Sequence, residues 1–210
     1  MSHHPLLRAP GRTIGTLAFA VVAALALSAC STADPASTEP AAPSEAPQPQ
    51  AAMMADHGLD GLDAREVIDT LDALPLAERS STLMASIRPN ELLLSDSQER
   101  ETALAMPEDE FYVSLAPYVN QTHDCYFHSL TTCTGEMQNT EVDVVVTDKA
   151  TGEVLVEGTH TTFDNGFMGL WLPRNIDATI TIEYDGLSAT SDLSTRTDDD
   201  ATCVTTMQLA

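Results

Sequence analysis

From Val142 to Ile182 apolar side chains recur at every second position, and turn signals interrupt them at short intervals. Val142, Val144 and Val146 face one way, Asp148-Lys149-Ala150-Thr151-Gly152 reverses the chain, and Val154 and Val156 return. Asp164-Asn165-Gly166 marks another turn ahead of Phe167 to Leu172, a run that holds Trp171, the single tryptophan. Ile176, Ala178, Ile180 and Ile182 alternate up to the Asp185-Gly186 turn, and a last strand is expected from Cys203 to Leu209. A period of two places alternate side chains on opposite faces of an extended chain, which a helix cannot do. Short strands between regularly spaced turns predict an antiparallel β-sandwich over residues 119–210.

The preceding stretch is mixed. Asp60 is a candidate N-cap, and Leu62, Val67, Ile68, Leu71 and Leu74 recur at helical spacing before Pro75 stops the run. Leu83, Ala85 and Ile87 then alternate, Arg88-Pro89-Asn90 offers a turn, and Leu92 to Leu94 follow as a return strand. Phe111, Val113 and Leu115 alternate again ahead of Pro117. Residues 56–118 therefore read as a small N-terminal α+β module, and the fold class of the whole as α+β.

Upstream of the folded part lies an export signal. Arg8 and Arg12 form a basic start, Ile14 to Leu27 a short apolar run, and small residues lead to Leu27-Ser28-Ala29-Cys30. The apolar run is short for a membrane span, and its end matches a lipobox. Residues 1–29 are thus expected to be removed, with Cys30 lipidated as the first residue of the mature, membrane-anchored protein. From 30 to 55 the chain is rich in Pro, Ala, Ser, Thr, Glu and Gln, too poor in apolar groups to offset its conformational entropy. Its prolines favour an extended stalk, able to reach on the order of 70 Å at ~3.1 Å per residue. Met53 and Met54 fall at the edge of that stalk.

Beyond the signal, seven basic residues face 32 acidic ones, a net charge of about −25. Such a field repels nucleic acid and anionic membrane surfaces and concentrates cations, so nucleic acid is not expected as a partner. Acidity by itself names no metal.

With Cys30 lipidated, three cysteines keep their thiols after processing: Cys125, Cys133 and Cys203. Exported proteins usually pair their cysteines, so an odd thiol calls for an explanation. Cys125 and Cys133 are eight residues apart, without zinc-type CxxC spacing, and a final strand would carry Cys203 back beside them. Three soft thiolates suit a trigonal Cu(I) site. A Cys125–Cys133 disulfide with Cys203 as a small buried side chain is the other reading, and such a short bridge would stabilise by roughly 2–3 kcal/mol. His123 and His128 flank Cys125 and are candidate imidazole ligands; His57 and His160 have no visible partner. Met207 shares a strand face with Cys203, but four strand residues span about 13 Å, so it reads as core. There is no nucleophile elbow and no triad-like context, and thiol–disulfide exchange lacks a CxxC. A disulfide-stabilised structural lipoprotein and a thiol–disulfide oxidoreductase using Cys125 and Cys133 remain the rival functions.

From Tyr118 onward the chain resembles the CueP family of periplasmic or lipid-anchored copper-binding proteins. The residues that carry the likeness are Gln121-Thr122-His123-Asp124-Cys125-Tyr126-Phe127-His128 through Cys133. Thr162 to Phe167, Gly169-Leu170-Trp171-Leu172-Pro173 and Asp199-Asp200 with Thr202-Cys203 extend it. The resemblance implies copper bound as Cu(I) through Cys125, Cys133 and Cys203, and a part in extracytoplasmic copper resistance and handling. It also implies a role that can include delivery of copper to exported cuproenzymes, and a preference for Cu(I) over Cu(II) that thiol oxidation would achieve; cycling such a reaction would need an outside electron donor, such as a thiol reductant. The lipobox and stalk favour a tethered scavenger or local reductant, on the outer face of the cell membrane or in the periplasm.

Overall fold

A computed structural model describes residues 49–210. The signal, the lipidation candidate Cys30 and the stalk as far as residue 48 lie outside the described residues. Two short helices come first, α1 (Pro49–Asp56) and α2 (Ala64–Asp72), followed by a 3-10 turn at Leu76–Glu78. The rest is β. The strands are β1 (Leu83–Ile87), β2 (Glu91–Asp96), β3 (Glu101–Ala105), β4 (Glu110–Leu115), β5 (Glu141–Asp148), β6 (Val154–Thr161), β7 (Met168–Pro173), β8 (Asp177–Tyr184), β9 (Leu187–Ser194) and β10 (Cys203–Val204).

These strands form three sheets, ordered β1-β2-β3, β10-β4-β7 and β6-β5-β8-β9. Every pairing is antiparallel except β10 against β4, which is parallel. The alternation expected in β5 and β8 is seen directly: Val142, Val144, Val146, Ala178, Ile180 and Ile182 all enter one core. Phe111, Val113 and Leu115 of β4 and Met168, Leu170 and Leu172 of β7 face them from the β10-β4-β7 sheet. Each Val, Ile, Leu, Met or Phe of this set contributes about 1.5–3 kcal/mol when fully buried.

The opposite face of β4 and β7, carrying Tyr112 and Trp171, meets a second core built from α1, α2, β1 and β2. β4 is therefore buried on both faces and hydrogen-bonded on both edges. Here the expected boundary at 118/119 gives way: β4, placed by sequence in the N-terminal module, pairs with β7 and β10 from the far end of the chain.

Local chemistry accounts for three further differences. The N-cap of α2 is Asp63 and not Asp60, because Glu66 three residues on completes a capping box with it. α1 occupies residues assigned to the stalk, and Met53 and Met54 are buried in the second core. The last strand stops at Val204, where the amide of Ala116 donates to the Val204 carbonyl at 2.9 Å. The next donor on that edge, the amide of Tyr118, bonds the Met207 carbonyl at 3.1 Å, one residue past the in-register partner, so the ladder ends there. Met207 lies in the first core, as expected. Among the described residues no helix is long and apolar enough to cross a membrane.

Candidate metal centre

The 25-residue stretch between β4 and β5 has no regular strand of its own, yet it is held firmly. Leu130 donates its amide to Ala85 (2.9 Å) and Ile87 donates to His128 (2.8 Å), so the loop runs along β1 like an added strand. Thr202 bridges the two ends of the chain: its hydroxyl donates to the Ile87 carbonyl at 2.8 Å and accepts the His128 amide at 3.0 Å. The Tyr126 carbonyl accepts the amides of Thr202 (3.0 Å) and Cys203 (3.1 Å), which presses β10 against the loop. A third segment, the turn at Asp164–Phe167, closes over the site. There the amide of Gly135 donates to Asn165 at 2.6 Å, and the two backbones are so close that a Cβ on Gly135 would lie 2.7 Å from the Gly166 oxygen. Neither glycine has room for a side chain.

This folding brings together Cys125, His128, Cys133 and Cys203, with one ligand atom from each all within 4.8 Å of one another. The Sγ atoms of Cys125 and Cys133 are 3.5 Å apart, and Cys203 Sγ lies 3.8 Å from His128 Nδ1. All three cysteines are free thiols. His128 is fully buried, Cys133 and Cys203 are buried, and Cys125 is half-buried, so the cluster meets solvent on the Cys125 side. His123 stands outside the cluster: it is exposed, with its ring 6.1 Å from that of Phe167. His57 sits 4.0 Å from Asp96, and His160 lies on β6.

The donor set fits a soft ion. A thiolate bonds a d10 ion such as zinc at about 2.3 Å, so two sulfurs on one ion are at most about 4.6 Å apart. The cluster is close to that limit before any ion draws it in. Three sulfurs and an imidazole favour Cu(I) or zinc over the hard cations that carboxylates prefer.

Electrostatics already leans toward metal binding. Hydrogen bonds from Cys125 and Cys203, with that of His128 and its charge, hold the Cys133 thiol far below its ordinary range. Cys203 moves the opposite way, pushed up by its hydrogen bonds to Cys125 and Cys133 and by burial. The amide of Ser129 also donates to Cys133 Sγ at 3.4 Å, and the Arg79 guanidinium donates to the Cys133 carbonyl at 2.7 Å. Burial would push His128 down, but hydrogen bonds with Asp72, Cys125 and Cys133 raise it well above the ordinary imidazole value.

Sequence reasoning did not reach Asp72, Tyr112, Asn165 or Arg79. Asp72 alone carried a signal, because it continues the buried stripe Val67, Ile68, Leu71, where a carboxylate is out of place.

Glu136 pins the segment 119–121 that leads into Cys125. Its carboxylate accepts the side-chain amide of Asn120 (2.8 Å) and the backbone amides of Asn120 (2.9 Å), Val119 (2.8 Å) and Gln121 (3.2 Å). Those bonds, Asn120 first, lower it from an ordinary 4.5 to about 2. A carboxylate held low stabilises the fold above its ordinary value, and the benefit fades as pH falls toward 2. Glu136→Gln is therefore expected to lower the urea midpoint at pH 6, with the gap from the parent closing between pH 4.5 and 2. A gap that persists unchanged at pH 2 would contradict this role.

The family model described as "Periplasmic copper-binding protein CueP" matches residues 66–208 of this chain. The solved chain described as "Crystal Structure of S.CueP" is similar to it at 38% identity with a TM-score of 0.73, covering 79% of this chain and 99% of that one. Among curated protein sequences none matches the chain significantly.

Proposed function

The chain belongs to the CueP family of periplasmic copper-binding proteins, and on that premise we propose that it holds one Cu(I) between Cys125, Cys133 and Cys203, with His128 as a fourth donor. The observation that carries this reading is the convergence of four soft or borderline ligand atoms within 4.8 Å in a largely buried pocket. Three thiolates outcompete water and carboxylate for Cu(I), and burial slows its loss and its oxidation. Binding releases the protons still held by the thiols, so affinity rises with pH. Anaerobic titration with Cu(I) against a chromogenic chelator tests the reading: one ion per chain is expected, and failure to compete at all would end it.

The same site favours reduction of Cu(II). Cys125 and Cys133, 3.5 Å apart, are placed to form a disulfide with little movement. Two thiols lose two protons and two electrons, and two Cu(II) become two Cu(I). An external dithiol then restores the pair by disulfide exchange. Mixing the reduced protein with Cu(II) under anaerobic conditions is expected to remove two of the three site thiols, with Cu(I) trapped by a chelator. Cu(I) formed with no loss of thiol would count against it.

The lipobox at Cys30 supports the further reading that the protein acts at a membrane, as a tethered copper scavenger or local reductant rather than a diffusing carrier. Mass spectrometry of the membrane-extracted protein is expected to find a diacylated or triacylated Cys30. An unmodified mature N-terminus would remove the anchor.

A further inference from the structure

Asp72 is placed at a double cost. It closes α2, where the helix dipole disfavours a negative charge, and it is 1% exposed, where an unpaired charge is expensive. Its partners explain why it persists. One oxygen, Oδ1, meets His128 Nε2 at 3.2 Å and accepts from the Asn165 amide at 3.0 Å. The other, Oδ2, accepts the Tyr112 hydroxyl at 2.5 Å. Burial works against ionisation, but the hydrogen bond and charge of His128, then Tyr112 and Asn165, leave the carboxyl below its ordinary value.

Resting on the copper-binding reading, we propose that Asp72 is a positioning residue for the metal: it keeps the His128 proton on Nε2 and so presents Nδ1 as the copper donor. A carboxylate only accepts hydrogen bonds, so the nitrogen that meets it must carry the proton. The other nitrogen, Nδ1, is the one beside Cys203 Sγ, at 3.8 Å. An outer carboxylate of this kind fixes the tautomer and ring angle and raises the basicity of the ligating nitrogen. Phe167 packs against the ring at 4.6 Å and limits its rotation. Tyr112 and Asn165 in turn hold the carboxylate.

One more residue belongs to this arrangement. Gly169 on β7 is the register partner of Ser114 on β4, two residues from Tyr112 on the same face. A Cβ there would overlap the Tyr112 hydroxyl and ring. Gly169 leaves the space through which Tyr112 reaches Asp72, although its own backbone needs no special conformation.

The test is long-range 1H–15N NMR of the full chain labelled at histidine and loaded with Cu(I), beside competition titrations of variants. In the parent, His128 is expected to carry its proton on Nε2, with Nδ1 shifted by the metal. Asp72→Ala is expected to weaken Cu(I) binding by about 10–100-fold. Asp72→Asn, which keeps an acceptor, recovers part of that loss, and Tyr112→Phe and Gly169→Ala weaken binding by smaller factors. If a variant fails to fold, the parent spectrum still decides. Copper on Nε2, or a folded Asp72→Ala with parental affinity, overturns the proposal. Cu(I) bound with both His128 nitrogens unshifted overturns it while leaving the thiolate reading intact. No Cu(I) uptake by the parent overturns both.

Discussion

Replacing Cys203 with serine is expected to weaken Cu(I) binding by more than about a hundredfold while the protein stays folded. The change is nearly isosteric, but it exchanges a soft sulfur for a hard oxygen that Cu(I) disfavours. Cys203 is buried on β10, and it is the one thiol of the cluster that the 125–133 loop does not supply. Loss of an outer-sphere partner typically costs 10–100-fold, and loss of a direct ligand exceeds that, about 2.7 kcal/mol or more. Chelator competition under anaerobic conditions measures the loss, with circular dichroism as the control for folding. An affinity within a few-fold of the parent would mean that Cys125 and Cys133 bind the ion without Cys203.

Phe167→Ala is expected to cost about 3–5 kcal/mol of folding stability, the range for removing a large buried aromatic. Phe167 is fully buried among Ala116, Cys133 and Cys203, and it stacks at a tilt on His128. Its removal opens a cavity at the point where the 125–133 loop, β10 and the Asp164–Phe167 turn meet. A domain of this size typically has only about 5–15 kcal/mol in hand, so much of the margin is lost. Urea unfolding of the metal-free protein reads the change directly, and Phe167→Leu is expected to cost less. A loss below about 1 kcal/mol would show that the ring does not support the site.

The β character of this chain was legible because it is local. Val142, Val144 and Val146 read as one face of a strand without knowledge of any partner, and the structure buries all three. What was not legible depends on partners distant in sequence. β4 reads as the end of an N-terminal module until β7 and β10 are seen on its two edges. Met53 and Met54 adjoin a proline-rich stretch, and only their packing against the second core shows that α1 belongs to the fold.

The site divides in the same way. The three cysteines stood out by number and by their chemistry. The choice between His123 and His128 did not, since both flank Cys125 closely. Hydrogen bonds with Ile87 and Thr202, forty or more residues away on either side, draw His128 inward and leave His123 exposed. Asp72 was visible only as a carboxylate on an apolar stripe, a signal that gains meaning once His128 is found beside it.

X-ray absorption at the copper edge of the anaerobically loaded protein tests the central claim most directly, because it reads the oxidation state and the donor atoms together. A Cu(I) edge with a first shell of three sulfurs and one nitrogen is the result this site predicts. A shell of oxygen and nitrogen alone would contradict it, and would return Cys125, Cys133 and Cys203 to a purely structural role.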